Sequence, residues 1–162
     1  MNFKLRKNCE INFLVFVLLI LVDYFTKIFI KSQYKIPNFG NPIYTIWPNF
    51  LDISYVENRG IAFGIPLNGL WFNVLVGLIL LGLGVYVFGE RKGEKGFVKK
   101  YGLALTLILA GGVGNLINRI QLDYVIDFIN FSFWPTFNLA DIAVSAGVLL
   151  LIYWLYKNKE LK

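Results

Sequence analysis

Two aspartates, Asp127 and Asp141, stand among Phe, Ile, Trp and Leu in the run VIDFINFSFWPTFNLAD, residues 125–141. An ionised carboxylate in such surroundings is expensive, and unless something pairs with it its pKa rises and it takes a proton. Ile126 and Phe128 flank Asp127 and favour its neutral form. Asn138 and Asp141, spaced i, i+3 at the start of an apolar stretch, form a pattern close to a capping box with Asp in place of Glu, and Pro135 helps set the boundary. The N-terminus of a helix there would favour the ionised form of Asp141. Two carboxyl groups whose surroundings push them in opposite directions can work as a pair. One accepts a proton from water while the other donates one to a carbonyl oxygen. Such a pair needs elements that bring the two together.

The composition says what those elements are. The 162 residues are 57% hydrophobic and only 16% charged, an imbalance that points away from a soluble domain. Residues 11–30, 69–89, 101–120 and 138–156 are each apolar over about 20 residues, the length that crosses a bilayer core. The fold class expected is a mainly α membrane protein, four transmembrane helices with a small extracytoplasmic β-containing segment. The whole chain, 1–162, reads as a single integral membrane domain. Lys4, Arg6 and Lys7 ahead of the first run look like the start of a signal peptide. No small-residue cleavage site follows, and Asp23 and Lys27 fall in the outer half of the run, so a retained helix is expected. The second run carries no charge and reads as a lipid-facing wall, with Gly77, Gly82 and Gly84 permitting close helix contact.

The net charge of +6 is not that of a nucleic-acid binder, because the basic residues sort by side. Lys4, Arg6 and Lys7, then Arg91, Lys92, Lys95, Lys99 and Lys100, then Lys157, Lys159 and Lys162 all fall on one face of a four-span chain, and the positive-inside rule makes that face cytoplasmic. Both termini are then cytoplasmic, and segments 31–68 and 121–137 face outward. In the first outer segment Leu51, Ile53 and Tyr55 alternate, which predicts short strands near the membrane surface, with Asn58-Arg59-Gly60 as the turn. A sheet edge there could hold an extended substrate by strand addition. The chain has one cysteine, Cys9, and no histidine, so no metal site and no cofactor are expected.

This topology gives the polar residues a common address. Asp23 and Lys27 come late in the first span, Asn115 and Arg119 at the outer end of the third, and Asn138 and Asp141 in the first turn of the fourth. Asp127 belongs to the segment joining the last two. Intramembrane ionisable residues mark functional sites by default. Asp23 and Lys27, spaced i, i+4, are read as a structural ion pair, and Arg119 as pairing with an acid or reaching to the headgroups. A rival use of the same residues is a small membrane transport or channel subunit with an ion or proton relay, although no internal repeat of the transporter kind is visible.

DYFTK at 23–27, ENRGIAFG at 57–64, GGVGNLINR at 111–119, VIDF at 125–128 and FNLAD at 137–141 together resemble the lipoprotein signal peptidases, also called signal peptidase II, which are intramembrane aspartic endopeptidases of the bacterial cytoplasmic membrane. The resemblance implies removal of signal peptides from diacylglyceryl-modified prolipoproteins, with the cut just before the lipid-modified cysteine and the active site near the outer face. It implies Asp127 and Asp141 as the catalytic pair. Asn58, Gly60, Asn115, Arg119, Asn138 and Ala140 would line or support the site, with Asp23 and Lys27 as a polar pair beside it. Membrane lipids are the expected surroundings, a monomer the expected state, and globomycin the expected inhibitor. One position departs from the family pattern: Asn118 stands where the third motif usually has aspartate. An amide can hydrogen-bond but cannot cycle a proton.

Overall fold

A computed structural model describes residues 3–34, 42–60, 69–89 and 96–158 of the chain. Its elements in order are helix α1 (Phe3–Gln33), strands β1 (Tyr44–Trp47) and β2 (Leu51–Asn58), helices α2 (Leu70–Gly89) and α3 (Phe97–Leu122), strand β3 (Val125–Phe131) and helix α4 (Leu139–Lys157). All four helices are long and apolar enough to cross a membrane. Their outward faces fit that reading: Phe25, Trp71, Leu78, Ile79, Leu81 and Leu149 are exposed, and such apolar faces need a nonaqueous surrounding. α1 extends past both ends of the predicted 11–30 span because no Pro or Gly interrupts residues 3–33.

Helix α3 is central and packs on the other three, most extensively on α4. The close approach is made by glycine. A Cβ at Gly111 would overlap the Ala140 carbonyl oxygen, and one at Gly147 would lie 2.7 Å from the Ala104 carbonyl oxygen. The sequence placed such contacts on the second span instead. There, a Cβ at Gly77 or Gly84 would meet only leucine methyls at 3.7 Å, and at Gly82 it would meet nothing within 4 Å, so α2 needs no glycine to pack.

The three strands form an antiparallel sheet in the order β1-β2-β3. The hairpin turns at Pro48–Phe50, where Asn49 adopts φ 60 and the Phe50 N–H donates to the Trp47 carbonyl at 3.0 Å. Asn58-Arg59-Gly60, expected to be the turn, instead lies at the end of β2, with Asn58 as its last residue. Asparagine tolerates the left-handed backbone that the tight turn at 49 requires, and alternation of side chains could not tell which of the two asparagines supplied it. A second left-handed residue, Asp123 at φ 64, caps α3 through its N–H to the Arg119 carbonyl and turns the chain into β3. Ile126 and Phe128 of β3 bury against Ile30 in the last turns of α1, which seats the sheet on one end of the bundle. That end holds the C-terminus of α1, the C-terminus of α3 and the N-terminus of α4.

Candidate active site

Strand β3 delivers Asp127 and the first turn of α4 delivers Asp141. The capping box expected from the sequence is present in both halves: the Asn138 side chain accepts from the Asp141 N–H at 3.0 Å, and the Asp141 Oδ2 accepts from the Asn138 N–H at 3.1 Å. Capping fixes the orientation of the Asn138 amide, because its oxygen is spent on Asp141. Its Nδ2 is therefore aimed elsewhere, and it donates to Asp127 Oδ1 at 2.6 Å and Asn115 Oδ1 at 3.1 Å. One asparagine thus binds both acids. The sequence showed the capping pattern of Asn138 and missed this bridge.

The second oxygen of Asp127 accepts from Asn58 Nδ2 at 2.9 Å. Register explains why an amide stands there. Ile53 pairs with Ile129, but a bulge intervenes and Val56, not Tyr55, pairs with Asp127, so Asn58 lies opposite Val125. Regular pairing would have put Glu57 on the face of Asp127, diagonally adjacent to it, and the two carboxylates would repel. The extra residue in β2 exchanges that acid for a hydrogen-bond donor. Asn58 is held in turn: its Oδ1 accepts from the Gly60 N–H at 3.0 Å, and the Gly60 carbonyl accepts from Arg119 at 3.1 Å. Arg119 also lies over the Phe72 ring at 5.9 Å, and neither acid reading nor headgroup reading foresaw that its partner is a loop carbonyl.

Helix α3 supplies the other half. Asn115 donates from Nδ2 to Asp141 Oδ1 at 2.8 Å, while its own oxygen accepts from Lys27 Nζ at 3.0 Å. Lys27 pairs with Asp23 Oδ2 at 2.7 Å, the buried i, i+4 ion pair expected. The other Asp23 oxygen accepts from the Ala140 N–H at 2.9 Å, so α1 holds the backbone immediately before Asp141. Asp23, Lys27, Asn58, Gly60, Asn115, Arg119, Asn138 and Ala140 all come together around Asp127 and Asp141 in one hydrogen-bonded network.

Three further residues serve this network. Gly111, Gly114, Asn115 and Asn118 recur at i, i+3, i+4 and i+7, a single stripe on α3 that the sequence displays. A Cβ at Gly114 would lie 2.8 Å from Asp23 Oδ2, so that glycine makes room for the carboxylate. Asn118, which stands where the motif usually has aspartate, is buried, and its Oδ1 accepts from the Ile126 N–H at 3.1 Å. It braces β3 one residue before Asp127.

The two acids differ in access. Asp127 is 2% exposed, whereas Asp141 is only half-buried. Burial pushes the Asp127 carboxyl up to about 6, against the amide donated by Asn58, and the neighbouring charge of Asp141 adds to the rise. Among the described residues no group of three or more acids and cysteines gathers as metal ligands, and the acids meet amide donors instead. A buried carboxyl close to neutrality in pKa, tied through one asparagine to a half-exposed carboxyl at a helix N-terminus, is an arrangement able to move a proton in each direction at one reacting atom.

Residues 15–157 match the family model described as Signal peptidase (SPase) II. A lipoprotein signal peptidase of Halothermothrix orenii is 31% identical over 148 residues, covering 91% of this chain and 97% of that protein. Those of Moorella thermoacetica and Chlamydia pneumoniae are 36% and 37% identical, covering 88% of this chain and 91% and 89% of their own lengths. A solved bacterial membrane enzyme superposes with TM-score 0.78 at 32% identity, over 93% of this chain and 90% of that one. A second gives TM-score 0.73 at 32% identity, over 90% and 92%.

Proposed function

Since this chain belongs to the signal peptidase II family and is a multi-pass bacterial membrane peptidase that removes signal peptides from prolipoproteins, we propose that it does so by an aspartic mechanism in which Asp127 and Asp141 are the catalytic pair. The transport or channel reading finds no support among these relatives. What carries the proposal is Asn138, which holds Asp127 through its side chain and Asp141 through its backbone N–H.

The pair carries one proton in its active form, and Asp127, the buried member, holds it. Asp141 takes a proton from a water molecule, the water oxygen bonds to the scissile carbonyl carbon, and Asp127 gives its proton to the carbonyl oxygen. In the second step Asp141 passes its proton to the leaving nitrogen as the C–N bond breaks, and a hydroxyl of the tetrahedral intermediate returns a proton to Asp127. The enzyme ends as it began, with no covalent adduct. Substrate that displaces water from the site disfavours a second charge and raises the share of pairs carrying the proton.

In this reading residues 1–162 act as one monomeric peptidase domain surrounded by lipid, with both termini cytoplasmic and the acids near the outer face. The substrate is a diacylglyceryl-modified prolipoprotein that enters laterally, its lipid chains remaining in the outer leaflet, and the cut falls before the modified cysteine. Purified chain in bilayers, given a precursor with and without the diacylglyceryl group, tests this. The modified form alone should release a signal peptide ending one residue before the cysteine. Equal cleavage of both forms, or a cut elsewhere, would refute the substrate assignment. With Cys9 replaced by Ser, a cysteine at Ser132 should react with an impermeant reagent from outside and one at Asn158 from the cytoplasmic side. The reverse pattern would overturn the orientation.

A further inference from the structure

The far end of the sheet carries an aromatic tip that the proposed chemistry does not use. All four residues of β1 are exposed, Trp47 to 65% and Ile46 to 61%, and in the turn between β3 and α4 Phe133 and Trp134 are exposed to 69% and 54%. These are not scattered side chains. Trp47 lies against Phe50 at 5.2 Å between ring centroids, and Phe50 against Phe133 at 5.8 Å. No aspartate, glutamate, lysine or arginine occurs in residues 42–51 or in residues 128–140. A surface that faces water is ordinarily dense in charge, and a contiguous apolar patch on it marks something that covers it.

Composition and position both indicate the cover. Tryptophan and tyrosine are the residues of the bilayer interface, where a ring with a polar edge sits among headgroups, and phenylalanine and aliphatic side chains beside them reach the boundary with the acyl chains. Tyr44 at the start of β1 donates its hydroxyl to Gln33, the last residue of α1, at 3.3 Å. The strand therefore begins level with the end of a membrane-crossing helix. Trp47, three residues on, is about 10 Å away along the strand and still within reach of the headgroup layer.

We propose that Ile46, Trp47, Phe133 and Trp134 form a lipid-docking surface that lies in the headgroup region of the leaflet at the end of the bundle holding the acids. The tip is mechanically close to the site. Phe131 stacks on Phe137 at 6.0 Å, and Phe137 immediately precedes Asn138, which bridges the two acids. Lipid contact at the tip would fix the depth of the acids at the outer face of the membrane, a role a plain structural hairpin lacks. The proposal rests on the helices crossing a membrane and not on the catalytic assignment, so either can fail alone.

The test places the full chain in nanodiscs with Trp71→Phe and Trp154→Phe, so that emission comes from Trp47 and Trp134. Retained cleavage of a lipidated precursor reports that the variant is folded, and Trp154→Tyr replaces Trp154→Phe if it is not. Phospholipids brominated near the glycerol end of their chains should remove roughly half of the emission, and aqueous iodide should remove little, as for rings seated at an interface. Strong quenching by iodide with none by bromolipid would put the tip in water and overturn the proposal. So would emission insensitive to both quenchers but dependent on the number of chains per disc, which would mean that a second copy covers the tip.

Discussion

Replacing Asn118 separates bracing from proton transfer. The Asn118 oxygen satisfies the N–H of Ile126, which is itself buried. Asn118→Ala removes the acceptor and leaves that donor unmet, at a cost of about 1–3 kcal/mol in stability. The start of β3 is then free to shift, and Asp127 with it, so cleavage should fall by about tenfold or more. Asn118→Asp introduces an acid at this position and keeps an oxygen where the Ile126 N–H needs one. Its rate should stay within about tenfold of the parent, or ~1.4 kcal/mol in the barrier. Denaturant unfolding in micelles and cleavage of a diacylglyceryl precursor in bilayers measure the two quantities. An alanine variant as stable and active as the parent would make the hydrogen bond idle. A gain far above tenfold in the aspartate variant would mean that a third acid moves protons and that two do not suffice.

Asp23→Ala strands Lys27 in a buried position and unpairs the Ala140 N–H, so it should cost ~3–5 kcal/mol and lower the amount of inserted protein, measured by quantitative blotting of membranes. Full abundance with cleavage lost would place Asp23 in the chemistry instead. The raised pKa of Asp127 means its proton is lost as pH climbs through about 6, so kcat/KM should decline on that alkaline side. Asn58→Ala removes a donor that favours the ionised carboxyl, so the decline should move up by about one pH unit, the equivalent of a ~1.4 kcal/mol hydrogen bond. A midpoint that stays put or moves down would contradict the assignment of that limb to Asp127. Gly111→Ala pushes α3 off the Ala140 carbonyl and displaces Asp141, with a loss of about 10²-fold in cleavage, whereas Gly82→Ala, which meets nothing within 4 Å, should leave the rate unchanged.

Much of this molecule can be read in one dimension because the bilayer imposes a simple rule. Apolar runs of helix-spanning length announce α1 to α4, and a charge inside or beside them stands out because burying it is costly. Asp23, Lys27, Asp127 and Asp141 are conspicuous for that reason, and the Asn138–Asp141 cap is legible because both partners lie within one turn. What could not be read depends on pairing between distant segments. The bulge that sets Asn58 rather than Glu57 beside Asp127 exists only once β2 meets β3. The turn at Asn49 competes with an equally plausible one at Asn58. The Asn138 amide is committed to Asp127 and Asn115 only by a fold that brings β3 and α3 to it, and Asn118 finds its partner in a strand backbone that no side-chain pattern reveals. The motif at 57–64 is described only through Gly60, and Ile61, Ala62, Phe63 and Gly64 lie outside the described residues, as do Arg91, Lys92 and Lys95 of the basic loop.

The central claim is that Asp127 and Asp141 move the protons. Asp127→Asn and Asp141→Asn, each reconstituted at matched abundance, keep nearly the shape of the parent side chain and lose its acid-base capacity. Release of signal peptide from a diacylglyceryl precursor should vanish in both variants while the protein remains inserted and folded. Processing at the parental rate by either one would contradict the account.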